Sequence, residues 1–133
     1  MMRMAAQATL TSDKFSRTLT APAVLLDHLD RIAALKDGWD SYRAKAPTPA
    51  AVRCMTTIVG DFAPYLLGAH CKTELGPSLD GGVVLSLDCG DRSLEILIDN
   101  AGVVSATRDE EPRFVSQSPT VLKDHFIWLT RPR

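Results

Sequence analysis

From residue 83 onward the apolar side chains change their period, and that change restricts the chain to a small set of folds. Val83, Leu85 and Leu87 alternate with Val84, Ser86 and Asp88, and Leu94, Ile96 and Ile98 alternate with Glu95, Leu97 and Asp99. A repeat of two is the mark of a strand. The runs are punctuated by Asp80-Gly81-Gly82, Cys89-Gly90-Asp91-Arg92 and Asn100-Ala101-Gly102. Connections this short join antiparallel neighbours, so the segment predicts a β-meander with one face toward a core and one toward water. Val103 to Arg108 supplies a further strand, and Lys72 to Leu75 can add a first one.

Before residue 70 the period is 3.6. Leu25, Leu29, Ile32 and Ala33 form one helical stripe behind Thr20 and Pro22, a capping residue and a proline suited to a first turn. Gly38 is placed to end this helix in the left-handed conformation. Thr48-Pro49 opens a second helix carrying Val52, Met55, Val59, Phe62 and Leu66, with a break expected near Ala63 ahead of Pro64. Ser118-Pro119 opens a last helix, with Leu122, Phe126 and Leu129 in one row. The expected fold is therefore α+β: two N-terminal helices, a three- to four-stranded antiparallel meander and a C-terminal helix. Residues 1–20, rich in Thr, Ser, Ala and Met without periodicity, read as a flexible arm ahead of a single domain over 21–133.

Between the first two helices stands Asp37-Gly38-Trp39-Asp40-Ser41-Tyr42, with one of only two tryptophans and one of only two tyrosines. Trp39, Asp40 and Tyr42 read as structural anchors of the fold, with Asp40 accepting main-chain N–H groups in the turn. The chemical alternative is an acid and a base, Asp37 and Asp40, set apart in pKa by the indole between them. Asp37 is more simply the end of a helix.

No Walker loop, dinucleotide fingerprint or Gly-x-Ser-x-Gly elbow is present. His70-Cys71 is the only adjacent pair of metal-type residues, and buried thiols with a loop histidine explain it more simply than a metal centre. No cofactor is expected. Cys54, Cys71 and Cys89 are odd in number and lack Cys-x-x-Cys spacing, which points to reduced thiols and a cytoplasmic setting. No stretch approaches the roughly 18 apolar residues of a membrane span.

Charge is unevenly spread behind a net value of −1: residues 1–20 carry +2, 21–67 are neutral, 68–111 carry −6 and 112–133 carry +3. With Asp88, Glu95 and Asp99 alternating onto the wet side, and Asp109, Glu110 and Glu111 at its end, the sheet is expected to present an acidic face that attracts a basic protein surface. The reading that follows is a non-enzymatic interaction module: an inhibitor, immunity factor, antitoxin-like partner or assembly subunit, binding through that face or through a sheet edge, where homodimerisation is also available. Nucleic acid is disfavoured as a partner. It would have to use the basic ends, Arg3, Lys14 and Arg17 with Arg113, Lys123, Arg131 and Arg133.

The order of a helix, Asp37-Gly38-Trp39-Asp40, a Thr-Pro helix start, Asp80-Gly81-Gly82 leading into a strand, and Asn100-Ala101-Gly102 resembles small uncharacterised bacterial proteins that share a Gly-Trp-Asp turn and an Asp-Gly-Gly strand. The similarity spans roughly residues 24–108. It implies an α+β fold and a bacterial or phage setting, and it carries no catalytic residues.

Overall fold

A computed structural model describes residues 17–19, 22–67, 71–109, 111–113 and 119–131. The chain is α+β, with an antiparallel meander whose strands lie side by side in their sequence order. Strand β1 (Arg17–Leu19) is followed by helices α1 (Pro22–Ala33), α2 (Pro49–Asp61) and α3 (Ala63–Leu67). Strands β2 (Lys72–Pro77), β3 (Val83–Cys89), β4 (Arg92–Ile98), β5 (Val104–Arg108) and β6 (Glu111–Arg113) come next, and helix α4 (Pro119–Thr130) closes the order.

The meander has six strands, extended at both edges beyond the three or four that alternation predicts. The added edges, β1 and β6, have three residues each, too few for a period of two to declare itself. Arg17–Leu19, expected within the arm, pairs with Leu75, Glu74 and Thr73 of β2. The rest of the expected arm lies outside the described residues.

Strand register sorts the side chains into two faces. Leu75, Leu85, Ile96 and Ala106 stand in one row across β2 to β5, flanked by a row holding Val83 and Ile98 and another holding Leu87 and Leu94. These join the helical stripes in one apolar core: Leu25, Leu29 and Ile32 from α1, Ala51, Met55, Ile58 and Val59 from α2, and Leu122, Phe126 and Leu129 from α4. Each fully buried side chain of this size contributes about 1.5–3 kcal/mol over leaving it in water. Phe126 is wholly buried and stacks on Phe62, with ring centroids 4.7 Å apart and planes 12° from parallel. Phe62 is the C-cap of α2, so the expected break near Ala63 is what turns an aromatic ring onto α4.

Two arginines dock the other end of α4. Arg92 Nη1 donates to the main-chain oxygens of Trp128 (2.6 Å) and Arg131 (3.4 Å), satisfying carbonyls that the helix end leaves without partners. The guanidinium groups of Arg92 and Arg108 lie 5.6 and 4.7 Å from the centre of the Trp128 ring, within cation–π range. Arg108 Nε also donates to His125 Nδ1 at 2.9 Å.

The thiols differ from expectation. Cys71 and Cys89 form a disulfide, and only Cys54 is free. The reason is register: Lys72 faces Asp88, so the next pair outward brings Cys71 opposite Cys89 at the open end of the β2–β3 hairpin, with Cα atoms 4.3 Å apart. A separation of 18 residues shows nothing of this until the strands are paired. Among the described residues no helix is long and apolar enough to cross a membrane.

Candidate functional site

The polar groups of the Asp37–Tyr42 turn are used within the fold, and they knit three loops into one body. Helix α1 ends at Ala33, with Ala34 N–H and Leu35 N–H bonded three residues back, to Arg31 and Ile32. Gly38 therefore does not end the helix. It sits farther on, at φ +79°, where the turn itself requires the left-handed region, and its N–H donates to the Ala44 carbonyl at 2.7 Å. Asp40 Oδ1 accepts from Tyr42 N–H (2.9 Å) and Ala44 N–H (3.1 Å), and Asp37 Oδ1 accepts from Ala46 N–H (2.9 Å). Asp37 is thus a turn residue and not the last residue of a helix. Both aspartates organise backbone, each through its Oδ1.

Trp39 is 9% exposed, and its indole Nε1–H donates to the Lys45 carbonyl at 2.8 Å. The same strip of chain then docks on the β2–β3 loop: Lys45 N–H reaches the Leu79 carbonyl and Thr48 N–H reaches that of Gly81, both at 2.9 Å. The Thr48 hydroxyl caps α2 by accepting from Ala51 N–H and donates to the Asn100 carbonyl at 2.7 Å, while Asn100 Nδ2 donates to the Asp80 carbonyl. Loops 37–48, 78–82 and 99–103 are in this way bonded in a closed circuit.

The Asp80-Gly81-Gly82 triplet is the centre of that circuit. Gly81 has φ +96°, and a Cβ there would press on the Ala46 carbonyl oxygen at 3.1 Å. A Cβ at Gly82 would run into the Ile98 carbonyl oxygen and the Ser78 hydroxyl. Only glycine lets β3 start this close to β4 and beneath the loop that leads into α2.

Tyr42, expected as an anchor beside Trp39 and Asp40, points outward and is 75% exposed. Ser41 reaches φ +66°, a left-handed value uncommon for a residue with a side chain, and this throws Tyr42 away from the core. The Arg43 guanidinium lies 5.4 Å from the centre of its ring. Leu79 and Val103, on the other two loops of the circuit, are 40% and 60% exposed. Aromatic and apolar groups thus stand in water on a body whose main chain is locked.

The carboxylates expected on an acidic sheet face take up different surroundings. Glu95 lies on the side of the sheet away from the helices, as alternation predicts, in the row Thr18, Glu74, Ser86, Glu95, Thr107, Pro112. It is nevertheless buried, 9% exposed, with Ser86 Oγ 3.4 Å from its Oε2 and Ser86 itself at 2%. Alternation tells which side of a sheet a residue takes, not whether water reaches that side. Asp99 belongs to the β4–β5 turn, where its Oδ1 accepts from Ala101 N–H and Val103 N–H at 2.9 Å each. Asp109 closes the next connection, its Oδ1 accepting from Ser93 N–H at 2.7 Å. Asp88 is half-buried and stands opposite Lys72. Glu111 contributes backbone to β6, and Glu110 lies outside the described residues.

Of the residues named at the basic ends, Arg17 belongs to β1 and Arg113 to β6, the opposite edges of the sheet, while Arg3, Lys14 and Arg133 lie outside the described residues. Five inter-strand steps of about 4.8 Å set these backbones roughly 24 Å from each other. Among the described residues no group of three His, Cys, Asp or Glu is placed to hold a metal ion. Comparison with known proteins returns no matching family model, no matching curated protein and no matching solved structure.

Proposed function

We propose that this chain is a non-enzymatic protein-interaction module that meets its partner through the three-loop end. The observation that carries the reading is the pairing of a rigid base with exposed contact groups: Tyr42 is 75% exposed with Arg43 over its ring, on a turn whose main chain is bonded to itself and to the 78–82 loop and whose Thr48 hydroxyl is bonded to the Asn100 carbonyl. Tyrosine and arginine are the side chains most often found carrying binding energy at protein interfaces, and a pre-ordered loop loses little entropy when it docks. Asp88, Glu95, Asp99 and Asp109 do not support the alternative of a charged sheet face, since three of the four are buried or bonded into turns. Binding through a sheet edge has little support as well. The edge strands have three residues each and β6 contains Pro112, both features that discourage strand addition.

Replacing Tyr42 by the photo-crosslinking residue benzoylphenylalanine in the native host tests the reading. A discrete protein adduct is expected on irradiation, and the same residue in place of the half-buried Asp88 should give none. Absence of an adduct at position 42 removes the proposal.

A further inference from the structure

Between the end of α1 and the start of α2 lies an open cleft of about 230 Å³, lined by Ala33, Pro47, Pro49, Val52 and Arg53. Small-molecule sites run to roughly 300–1,000 Å³, so this cleft is sized for one large side chain. Its wall is pre-formed: Pro47 is buried, Pro49 opens α2, and Thr48 between them is held by Gly81 and Asn100. Four of its five lining residues are apolar, and the fifth brings a cation to the opening.

In the segment that joins the two helices cations outnumber carboxylates. Residues 34–53 carry Lys36, Arg43, Lys45 and Arg53, all exposed, against Asp37 and Asp40. Both aspartates already accept main-chain N–H groups. Asp80, bridged to Lys45 through the backbone, accepts from the Ser78 hydroxyl. Among the described residues no ion pair holds any of the four cations, whereas Arg31 farther back on α1 lies 3.7 Å from Asp27. The nearby carboxylates are thus engaged by hydrogen bonds, and the four cations are exposed.

We propose that the cleft receives an aliphatic or aromatic side chain from an acidic segment of a protein partner, with Arg53 meeting a carboxylate beside it. This rests on the three-loop end being the interaction surface, and it specifies the partner as acidic where the sheet composition had suggested a basic one. An apolar anchor gains by leaving water, and flanking carboxylates are steered by uncompensated cations. Nucleic acid fits less well. Phosphates would use the cations but leave the apolar walls unfilled, and a guanidinium already lies over the Tyr42 ring available for stacking.

The purified full chain is panned against a random-peptide phage library, and the enriched peptides are synthesised with a fluorescein label for anisotropy. Enriched peptides are expected to share one large apolar residue flanked by Asp or Glu. Arg53→Glu, on an exposed helix position, should weaken them by about tenfold or more. Ala33→Phe fills the cleft without changing charge and should do the same; both variants are first matched to the parent by circular dichroism. Enrichment of neutral or basic peptides, no enrichment, or unchanged binding in the two variants overturns the proposal. So does salt-sensitive binding of labelled oligo-dT that Arg53→Glu abolishes, which would assign the surface to nucleic acid. A position-42 adduct that survives both substitutions sinks the cleft while leaving the interaction reading intact.

Discussion

The indole N–H of Trp39 donates to the main-chain carbonyl of Lys45 at 2.8 Å, and this bond shapes the loop that leads into α2. Trp39 lies outside the main apolar cluster, so its removal strikes the loop circuit first. Trp39→Ala is expected to cost about 3–5 kcal/mol, as large buried truncations do. Trp39→Phe, which keeps most of the buried area and loses the hydrogen bond, should cost about 1–3 kcal/mol. Urea unfolding followed by far-ultraviolet circular dichroism separates the two, and a Trp39→Phe loss near zero would show that the bond carries little.

Tyr42 makes the opposite prediction from within the same turn. With 75% of its surface in water, Tyr42→Ala should change stability by no more than about 0.5 kcal/mol. A midpoint shift comparable with that of Trp39→Ala would mean the tyrosine is an anchor after all.

Two glycines, Gly82 and Gly60, should respond with opposite signs. Gly82→Ala forces a Cβ into the Ile98 carbonyl oxygen, so more than about 2 kcal/mol of destabilisation is expected. Gly60 sits within α2, where an alanine Cβ would meet nothing within 4 Å, and Gly60→Ala should stabilise by about 0.5–1 kcal/mol. Thermal melts of the two variants check both signs at once.

The Cys71–Cys89 bridge closes the open end of the β2–β3 hairpin across 18 residues. On the chain-entropy account a loop of this length is worth about 3 kcal/mol. Melting with and without dithiothreitol should therefore show a lower midpoint in the reduced protein, and the double variant Cys71→Ser, Cys89→Ser should match the reduced parent and ignore the reductant.

Cys54 is half-buried, and burial pushes its thiol above the ordinary value of 9.0. Since the thiolate is the nucleophile, alkylation by iodoacetamide at slightly alkaline pH should be slower in the folded protein than in the urea-unfolded chain. The linkage has a definite sign. A folded-state value raised above the unfolded one contributes stability that is fully present below the unfolded value and is lost as the pH rises through the folded value. Cys54→Ala should accordingly remove part of any loss of stability seen above pH 9.0. Equal alkylation rates in folded and unfolded protein would contradict the shift.

The sequence by itself determined the kinds of elements and much of their order. Periods of 3.6 and 2, Thr48-Pro49 as a helix start and the Gly81-Gly82 turn are local properties, written within a few neighbouring residues. The helix break at Phe62 and the docking row Leu122, Phe126, Leu129 were legible for the same reason. What only the tertiary structure decided depends on residues far apart in the chain. Cys71 meets Cys89 because two strands pair in one register, and Glu95 is buried although its alternation is that of a wet residue. Asp109 is drawn into a turn by the Ser93 N–H of the neighbouring strand. Trp39 and Tyr42 read alike as aromatics in one hexapeptide, yet one is fastened inward by the Lys45 carbonyl and the other is turned outward at Ser41. Composition told which side chains were available for contact. The closing of three loops on each other decided which of them water, or a partner, can reach.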